Sequence, residues 1–300
     1  MDSPLTTIAL PVALGIIMFG LGLSLTLGDF ARVGKSPKAV IIALACQLIV
    51  LPAICFGLIL AFQLPPVLAV GMMLLAASPG GTTANLYSHL FRGDIALNIS
   101  LTAVNSVLSV FTLPLIVNLA IGYFQPVTTG QPGEGGALGI DFVEALKVFA
   151  IVLIPVALGM LVRRFRPGFA TASDRPVRIA SIIILAVVII GAVVSNLQAL
   201  LDNLAALAGI TVLFCLISLA LGFLIPRLFR VERRQAVASS FEIGIHNATL
   251  AIVIAQTVLD NFEMSLPGAV YGVLMFFVAA AFGFIIRDRK PVEPLVEGRV

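Results

Sequence analysis

Charge is what this sequence has least of. Of 300 residues, 11% are Asp, Glu, Lys or Arg and 60% are hydrophobic, whereas a soluble domain is about a quarter charged. So few charges cannot cover a water-facing surface. That argues against a water-soluble enzyme. It also argues against a nucleic-acid binder, despite 18 basic residues against 15 acidic ones. Cysteine is scarce too: Cys46, Cys55 and Cys215 lie inside apolar runs, without disulfide or metal spacing, and read as small core residues. The first apolar stretch has neither a basic leading region nor a small-residue cleavage site, so it is expected to be a span and not a signal peptide. No connection offers room for a water-soluble domain, the longest being about twenty residues. No nucleophile–base pair or metal-ligand set stands out, which makes an intramembrane enzyme the least expected class.

What the chain does contain is apolar runs of membrane-spanning length, at approximately 6–27, 38–62, 66–90, 94–122, 142–163, 178–200, 204–229, 233–259 and 266–286. A bilayer core needs about 20 such residues per helix. The expected fold is an all-α polytopic membrane protein of about nine transmembrane helices, forming one transmembrane domain over 1–300. The connections alternate in charge. Basic residues follow the first span (Arg32, Lys35, Lys38), the third (Arg92), the fifth (Arg163, Arg164, Arg166, Arg175, Arg178), the seventh (Arg227, Arg230, Arg233, Arg234) and the ninth (Arg287, Arg289, Lys290, Arg299). The intervening connections have none, and turn acidic at Asp202, Asp260 and Glu263. Only Lys147 breaks the pattern. By the positive-inside rule the N-terminus is outside and the C-terminus cytoplasmic.

Two runs are interrupted. The third contains Ser78-Pro79-Gly80-Gly81-Thr82-Thr83-Ala84-Asn85 and the eighth Ser239-Ser240-Phe241-Glu242-Ile243-Gly244-Ile245-His246-Asn247. Proline removes a backbone donor and paired glycines do not hold a helical turn. Unwound backbone survives in a bilayer only where it lines a cavity or is buried in protein. The third span, entering from outside, reaches its break after ~21 Å of helix, and the eighth, entering from inside, after ~15 Å. In a core ~30 Å thick these depths coincide. Two oppositely directed spans broken at one level predict inverted repeats, spans 2–4 against 7–9, with two discontinuous helices that cross.

Of fifteen acids, only Glu242 lies about ten residues from the nearest span end. A mid-membrane carboxylate is expensive and defaults to a functional reading. With no Lys or Arg at its depth, its partner is expected to be a proton or a bound cation. Around it the sequence supplies oxygen donors: Gln47, Thr82, Thr83 and Asn85, with Asn98, Thr102 and Asn105 on one helix face. Amides, hydroxyls, one carboxylate and unwound carbonyls make a hard-oxygen site, and a single acid suits Na⁺ better than Ca²⁺. The half-helices beginning near Gly81-Thr82 and Ile245–Asn247 point positive dipole ends at the crossing, which suits an anion. His246 follows Glu242 by four residues; if that turn stays helical the two share a face and could relay a proton, and otherwise the imidazole is a neutral hydrogen-bonded group. His89 is expected near a cytoplasmic span end without a role.

Four runs together, Phe19-Gly20-Leu21-Gly22-Leu23-Ser24-Leu25-Thr26, Ser78-Pro79-Gly80-Gly81-Thr82 with Asn85, Arg92-Gly93-Asp94-Ile95-Ala96-Leu97, and Glu242-Ile243-Gly244-Ile245-His246-Asn247, resemble the bile acid:sodium symporter family, over roughly 5–287. The resemblance is to a bacterial, nine-span member. It implies a panel domain (about 5–30 and 141–200) and a core domain (about 38–122 and 204–286). It implies one sodium site at Asn85, Asn98, Thr102 and Glu242, with Ala84 where the family often has serine. A second would use Gln47, Glu242, the carbonyls of Ile243 and Ile245, and His246, where the family usually has glutamine. Thr82 and Asn247 match positions resembling substrate contacts. The expected function is therefore symport of a small or amphipathic organic anion with one or two Na⁺, by alternating access, in the bacterial inner membrane. The alternative is a proton-coupled carrier using Glu242 and His246. Expected partners are the anion and membrane lipids, with no nucleic acid, and a monomer is the expected state.

Overall fold

The computed structural model describes residues 10–81, 83–126, 142–195 and 197–287. The described part is helical, with a single isolated β-bridge. In chain order the helices are α1 (Leu10–Ser24), α2 (Leu27–Arg32), α3 (Pro37–Ala45), α4 (Leu51–Phe62), α5 (Pro66–Ala77), α6 (Thr83–Leu90), α7 (Ile95–Phe124), α8 (Phe142–Phe165), α9 (Pro167–Ser195), α10 (Leu197–Leu228), α11 (Arg233–Gly244), α12 (Ala248–Thr257) and α13 (Leu266–Ile286). Among the described residues four helices, Pro37–Phe62, Ile95–Phe124, Leu197–Leu228 and Glu263–Ile286, are long and apolar enough to cross a membrane. The α1–α2 pair, bent by 64°, makes a fifth if it is one span. Large apolar side chains such as Phe111, Leu119, Val194, Phe277 and Ile285 face outward, which suits a lipid surface and not water.

Local chemistry explains the joints. Proline opens α3, α5 and α9 at a position where its missing N–H costs nothing. The bend after α1 is fixed by Asp29, whose Oδ2 accepts from both the N–H and the hydroxyl of Thr26 at 2.7 Å. The helix Pro37–Phe62 carries a π-turn at Cys46–Val50, just ahead of Pro52. A proline ring crowds the carbonyl four residues back, and a widened turn relieves it. Asp94 caps α7 by accepting from the Leu97 N–H at 3.0 Å, and its own N–H donates to the Arg234 carbonyl at 2.9 Å. That contact ties the end of the first broken segment to the start of the second.

Two expected boundaries move. The connection expected at Asp202 is not there: α9 ends at Ser195 and α10 begins at Leu197, and residue 196 is outside the described residues. Asp202 sits within α10 and accepts from the Gln198 side chain at 2.8 Å. Hydropathy drops there, but Gln-Ala-Leu-Leu-Asp-Asn-Leu-Ala-Ala is rich in helix formers and the backbone does not stop. Arg175 and Arg178 likewise lie in α9, which begins at Pro167 and not near 178. The Gly/Pro-rich connection over 127–141 lies outside the described residues.

Small residues bring helices into backbone contact, the usual packing device in lipid. α1 packs on α8 and α9, and a Cβ at Gly22 or Gly159 would run into the opposing backbone at Val156 or Phe19. Across α10 and α11, Gly222 lies against Ser239 and Ser240, and Gly244 against Leu219. Gly159→Ala is therefore expected to cost about 1–3 kcal/mol through overpacking, seen as an apparent Tm several degrees lower in detergent. Gly191→Ala, with open space around it, is expected to leave the Tm unchanged or raise it slightly. Equal melting of the two variants would contradict this packing.

Candidate functional site

The two interrupted segments meet. α5 ends at Ala77 and α6 begins at Thr83; α11 ends at Gly244 and α12 begins at Ala248. Between them the extended backbones run antiparallel. The Gly81 N–H donates to the Ile245 carbonyl at 2.7 Å, the Asn247 N–H donates to the Pro79 carbonyl at 2.9 Å, and Gly80 pairs with His246. Each break thus supplies hydrogen bonds that the other lost on leaving the helix.

Glu242 lies in the last turn of α11 and is 2% exposed. Its carboxylate rests on Gly80: a Cβ there would fall within the carboxyl group. Oε2 accepts from the Thr102 hydroxyl at 2.6 Å, in the range of a charge-assisted bond. Oε1 has no partner among the described residues. No ion pair to Glu242 occurs among the described residues. Asn98, one turn from Thr102 on α7, donates through Nδ2 to Ser88 Oγ at 2.7 Å and to the Ala238 carbonyl at 2.9 Å, which leaves its Oδ1 unpartnered. Asn85 Oδ1 on α6 and Gln47 Oε1 in the π-turn are also buried without partners. Among the described residues, four carbonyl or carboxylate oxygens of the expected sodium ligands, from four elements, are therefore out of water and unpaired, and Asn105 Oδ1 on α7 is a fifth such oxygen. Each such atom costs about 1–3 kcal/mol unless a ligand meets it. The donor set is hard oxygen, and no group of three or more His, Cys, Asp or Glu occurs among the described residues. These atoms fit an alkali ion far better than a transition metal.

The other expected residues fall out as follows. His246 does not share a helical face with Glu242, because α11 has already ended and Ile245 is extended (φ −117°, ψ 89°). Its ring contacts Gln47 and Tyr271 instead, and the direct Glu242–His246 relay is not formed. Ile243 and Ile245 are buried beside the acid, and the Ile245 carbonyl already accepts from Gly81. Asn247 caps α12, its Oδ1 accepting from the Leu250 N–H at 3.0 Å. Gly81 is buried with its N–H committed to Ile245. Thr82 lies outside the described residues. Asn105 is buried with both amide atoms unpartnered, one turn of α7 beyond Thr102. His89 is exposed near the end of α6.

Sequence reasoning missed Ser88, Ser78 and Tyr271. The last had a signal: a tyrosine inside an apolar span must find a partner for its hydroxyl. Ser88 lies three residues after Asn85 on α6 and so shares its face. Nothing local marked the carbonyl of Ser78.

Two interrupted helical segments whose extended backbones pair antiparallel against a buried acid are the arrangement of membrane-embedded secondary transporters with discontinuous helices. The chain belongs to the Sodium Bile acid symporter family, whose model matches residues 11–203. It is 29% identical over 262 residues to the uncharacterised sodium-dependent transporter YocS of Bacillus subtilis (strain 168), covering 87% of this chain and 78% of that protein. It is 24% identical over 286 residues to the human ileal sodium/bile acid cotransporter, covering 94% and 79%. It is 26% identical over 281 residues to the probable sodium/metabolite cotransporter BASS2, chloroplastic, of Oryza sativa subsp. japonica, covering 93% of this chain and 64% of that protein. The chain is thus an integral membrane protein of a sodium-dependent transporter family, and not an enzyme. The proton-coupled alternative finds no support in these relatives, which are named for sodium.

The protein is expected to melt higher in NaCl than in KCl, and Gly80→Ala is expected to abolish that difference, because the new methyl displaces the Glu242 carboxyl group. Gly57→Ala, where a Cβ meets nothing, is expected to keep it. Undiminished stabilisation of the Gly80 variant by sodium would remove Gly80 from the site.

Proposed function

We propose that this protein is a sodium-coupled symporter for a small or amphipathic organic anion, with Glu242 as the shared cation ligand. The observation that carries the reading is the buried Glu242 carboxylate on Gly80, with one oxygen held by Thr102 and the other without a partner among the described residues. Asn85, Asn98, Thr102 and Glu242 form one sodium site. Gln47 and Glu242, with the carbonyls of Ile243 and Ile245 and with His246 alongside, form a second. A bound Na⁺ neutralises the acid and draws α6, α7 and α11 together, because its ligands come from all three. That fixes the crossing from which α6 and α12 begin. Their N-terminal ends, at Gly81, Thr82 and Asn247, then attract the substrate's negative charge. Asn247 brings its side-chain Nδ2, its Oδ1 being spent on the cap.

Ordering of one site by the other makes the coupling reciprocal: sodium tightens the anion and the anion tightens sodium by the same factor. Nine spans with an outside N-terminus follow from the charge alternation. Inverted repeats, spans 2–4 against 7–9, follow from the opposed breaks. The packing of α1 on α8 and α9 supports a panel of about 5–30 and 141–200, against which a core of about 38–122 and 204–286 rocks for alternating access. The place of action is a bacterial inner membrane, and the working unit a monomer. Keto and hydroxy acids, as well as bile acids, are within the substrate class.

In proteoliposomes, an inward sodium gradient is expected to drive accumulation of at least one member of a panel of keto acids, hydroxy acids and bile acids. A proton gradient without sodium is expected not to. Glu242→Gln is expected to lose sodium-driven uptake entirely. Thr102→Val is expected to raise the half-saturating sodium concentration about tenfold, the scale of one hydrogen bond to a charged group. Full sodium-driven uptake by Glu242→Gln would overturn the Glu242-centred mechanism.

A further inference from the structure

The imidazole of His246 is the middle of a chain of hydrogen bonds whose direction is fixed at both ends. At one end is Gln47, in the π-turn. Its Nε2 lies 3.1 Å from the Ser78 carbonyl and 3.4 Å from His246 Nε2. A carbonyl only accepts, so the amide presents its NH₂ to Ser78. The second hydrogen of that NH₂ is directed to His246, whose Nε2 must then be the bare, accepting nitrogen. At the other end is Tyr271 in α13, which is fully buried. Its hydroxyl donates to the Gly244 carbonyl at 2.9 Å, and Cys215 Sγ lies 3.5 Å from the same oxygen. With its one proton spent there, the tyrosine oxygen can only accept from His246 Nδ1, 3.1 Å away. Both ends therefore require the same neutral form, protonated on Nδ1. Phe214 packs at 5.4 Å and Tyr271 at 5.5 Å, between ring centroids, and they hold the ring plane.

Two consequences follow. Both ring nitrogens are used by protein partners, so the imidazole has no lone pair left for an ion. The Gln47 amide, oriented by Ser78 and His246, has one atom left over: Oε1, buried and unpartnered. We propose that Tyr271 and His246 are positioning residues for the cation site, holding the Gln47 amide so that its Oε1, and not the histidine ring, is offered to the sodium ion. This rests on the reading of Gln47 as a sodium ligand. The chain of bonds also spans the π-turn, the end of α5, the α11 break and α13. It therefore connects an ion ligand to the carbonyl of Gly244, the last residue of α11.

The tautomer is directly measurable, because the sequence has two histidines and His89 is exposed. With ¹⁵N-histidine labelling in a His89→Gln background, nanodisc NMR is expected to show His246 protonated on Nδ1. Tyr271→Phe is expected to disturb that signal. A resting Nε2–H form would overturn the proposal. In transport, Tyr271→Phe is expected to raise the half-saturating sodium concentration roughly fivefold, as the loss of one hydrogen bond allows, with folding checked by gel filtration. In a Gln47→Ala background the same substitution is expected to add nothing, since it acts through Gln47. Equal effects in both backgrounds would mark Tyr271 as merely structural and overturn the proposal. So would a Gln47→Ala variant with wild-type sodium dependence. Failure of the broader reading is separate, and would appear as full sodium coupling in Glu242→Gln.

Discussion

Unwound backbone inside a membrane has to find hydrogen bonds within the protein, and here each of two unwound segments finds them on the other. The N–H of Gly81 reaches the carbonyl of Ile245, and the N–H of Asn247 reaches that of Pro79. In hydrocarbon an unsatisfied peptide group costs several kcal/mol, so neither break is tenable alone. The exchange forces both to one level and presses Gly80 onto the Glu242 carboxyl group. It also sets two short helices starting from the same place, α6 and α12. The acid, its oxygen neighbours and the paired helix starts are consequences of that one backbone contact.

The site around Glu242 is built at the expense of stability. Interhelical hydrogen bonds in membranes are worth about 0.6 kcal/mol on average, so Ser88 recovers little, and Thr102 reaches only one of the two Glu242 oxygens. Each buried oxygen without a partner gives up about 1–3 kcal/mol. Polar residues serving as interhelical glue would be paired with one another. Gln47 Oε1, Asn85 Oδ1, Asn98 Oδ1 and Glu242 Oε1 are not. The imbalance favours a ligand that binds oxygen and gives the energy back on binding, as linkage requires of anything that selects the folded state.

Much of this was legible along the chain. The apolar runs marked the helices because lipid demands length and apolarity. Pro79 with Gly80 and Gly81 marked a break because those residues cannot hold a helical turn. Asn98 and Thr102 shared a face by their spacing of four. The α9–α10 boundary was misplaced because hydropathy reports solvent preference while the backbone follows propensity, and around Asp202 the two disagree. Between the two readings of His246 the sequence could not choose, because a spacing of four implies contact only in a helix, and α11 ends at Gly244.

By itself, then, the sequence determined an all-helical membrane protein, the two places where its helices break, and the one acid in the wrong solvent. These depend on local chemistry: transfer of side chains to lipid, proline and glycine geometry, and the cost of a buried charge. Only the tertiary structure decided that Gly80 lies under the carboxylate, that Thr102 holds one of its oxygens, and that Tyr271 and Gln47 take both nitrogens of His246. Those contacts join residues 25 to 199 positions apart. They exist because two extended strands of backbone had to satisfy each other, and no local pattern in the chain records which side chains that encounter brings together.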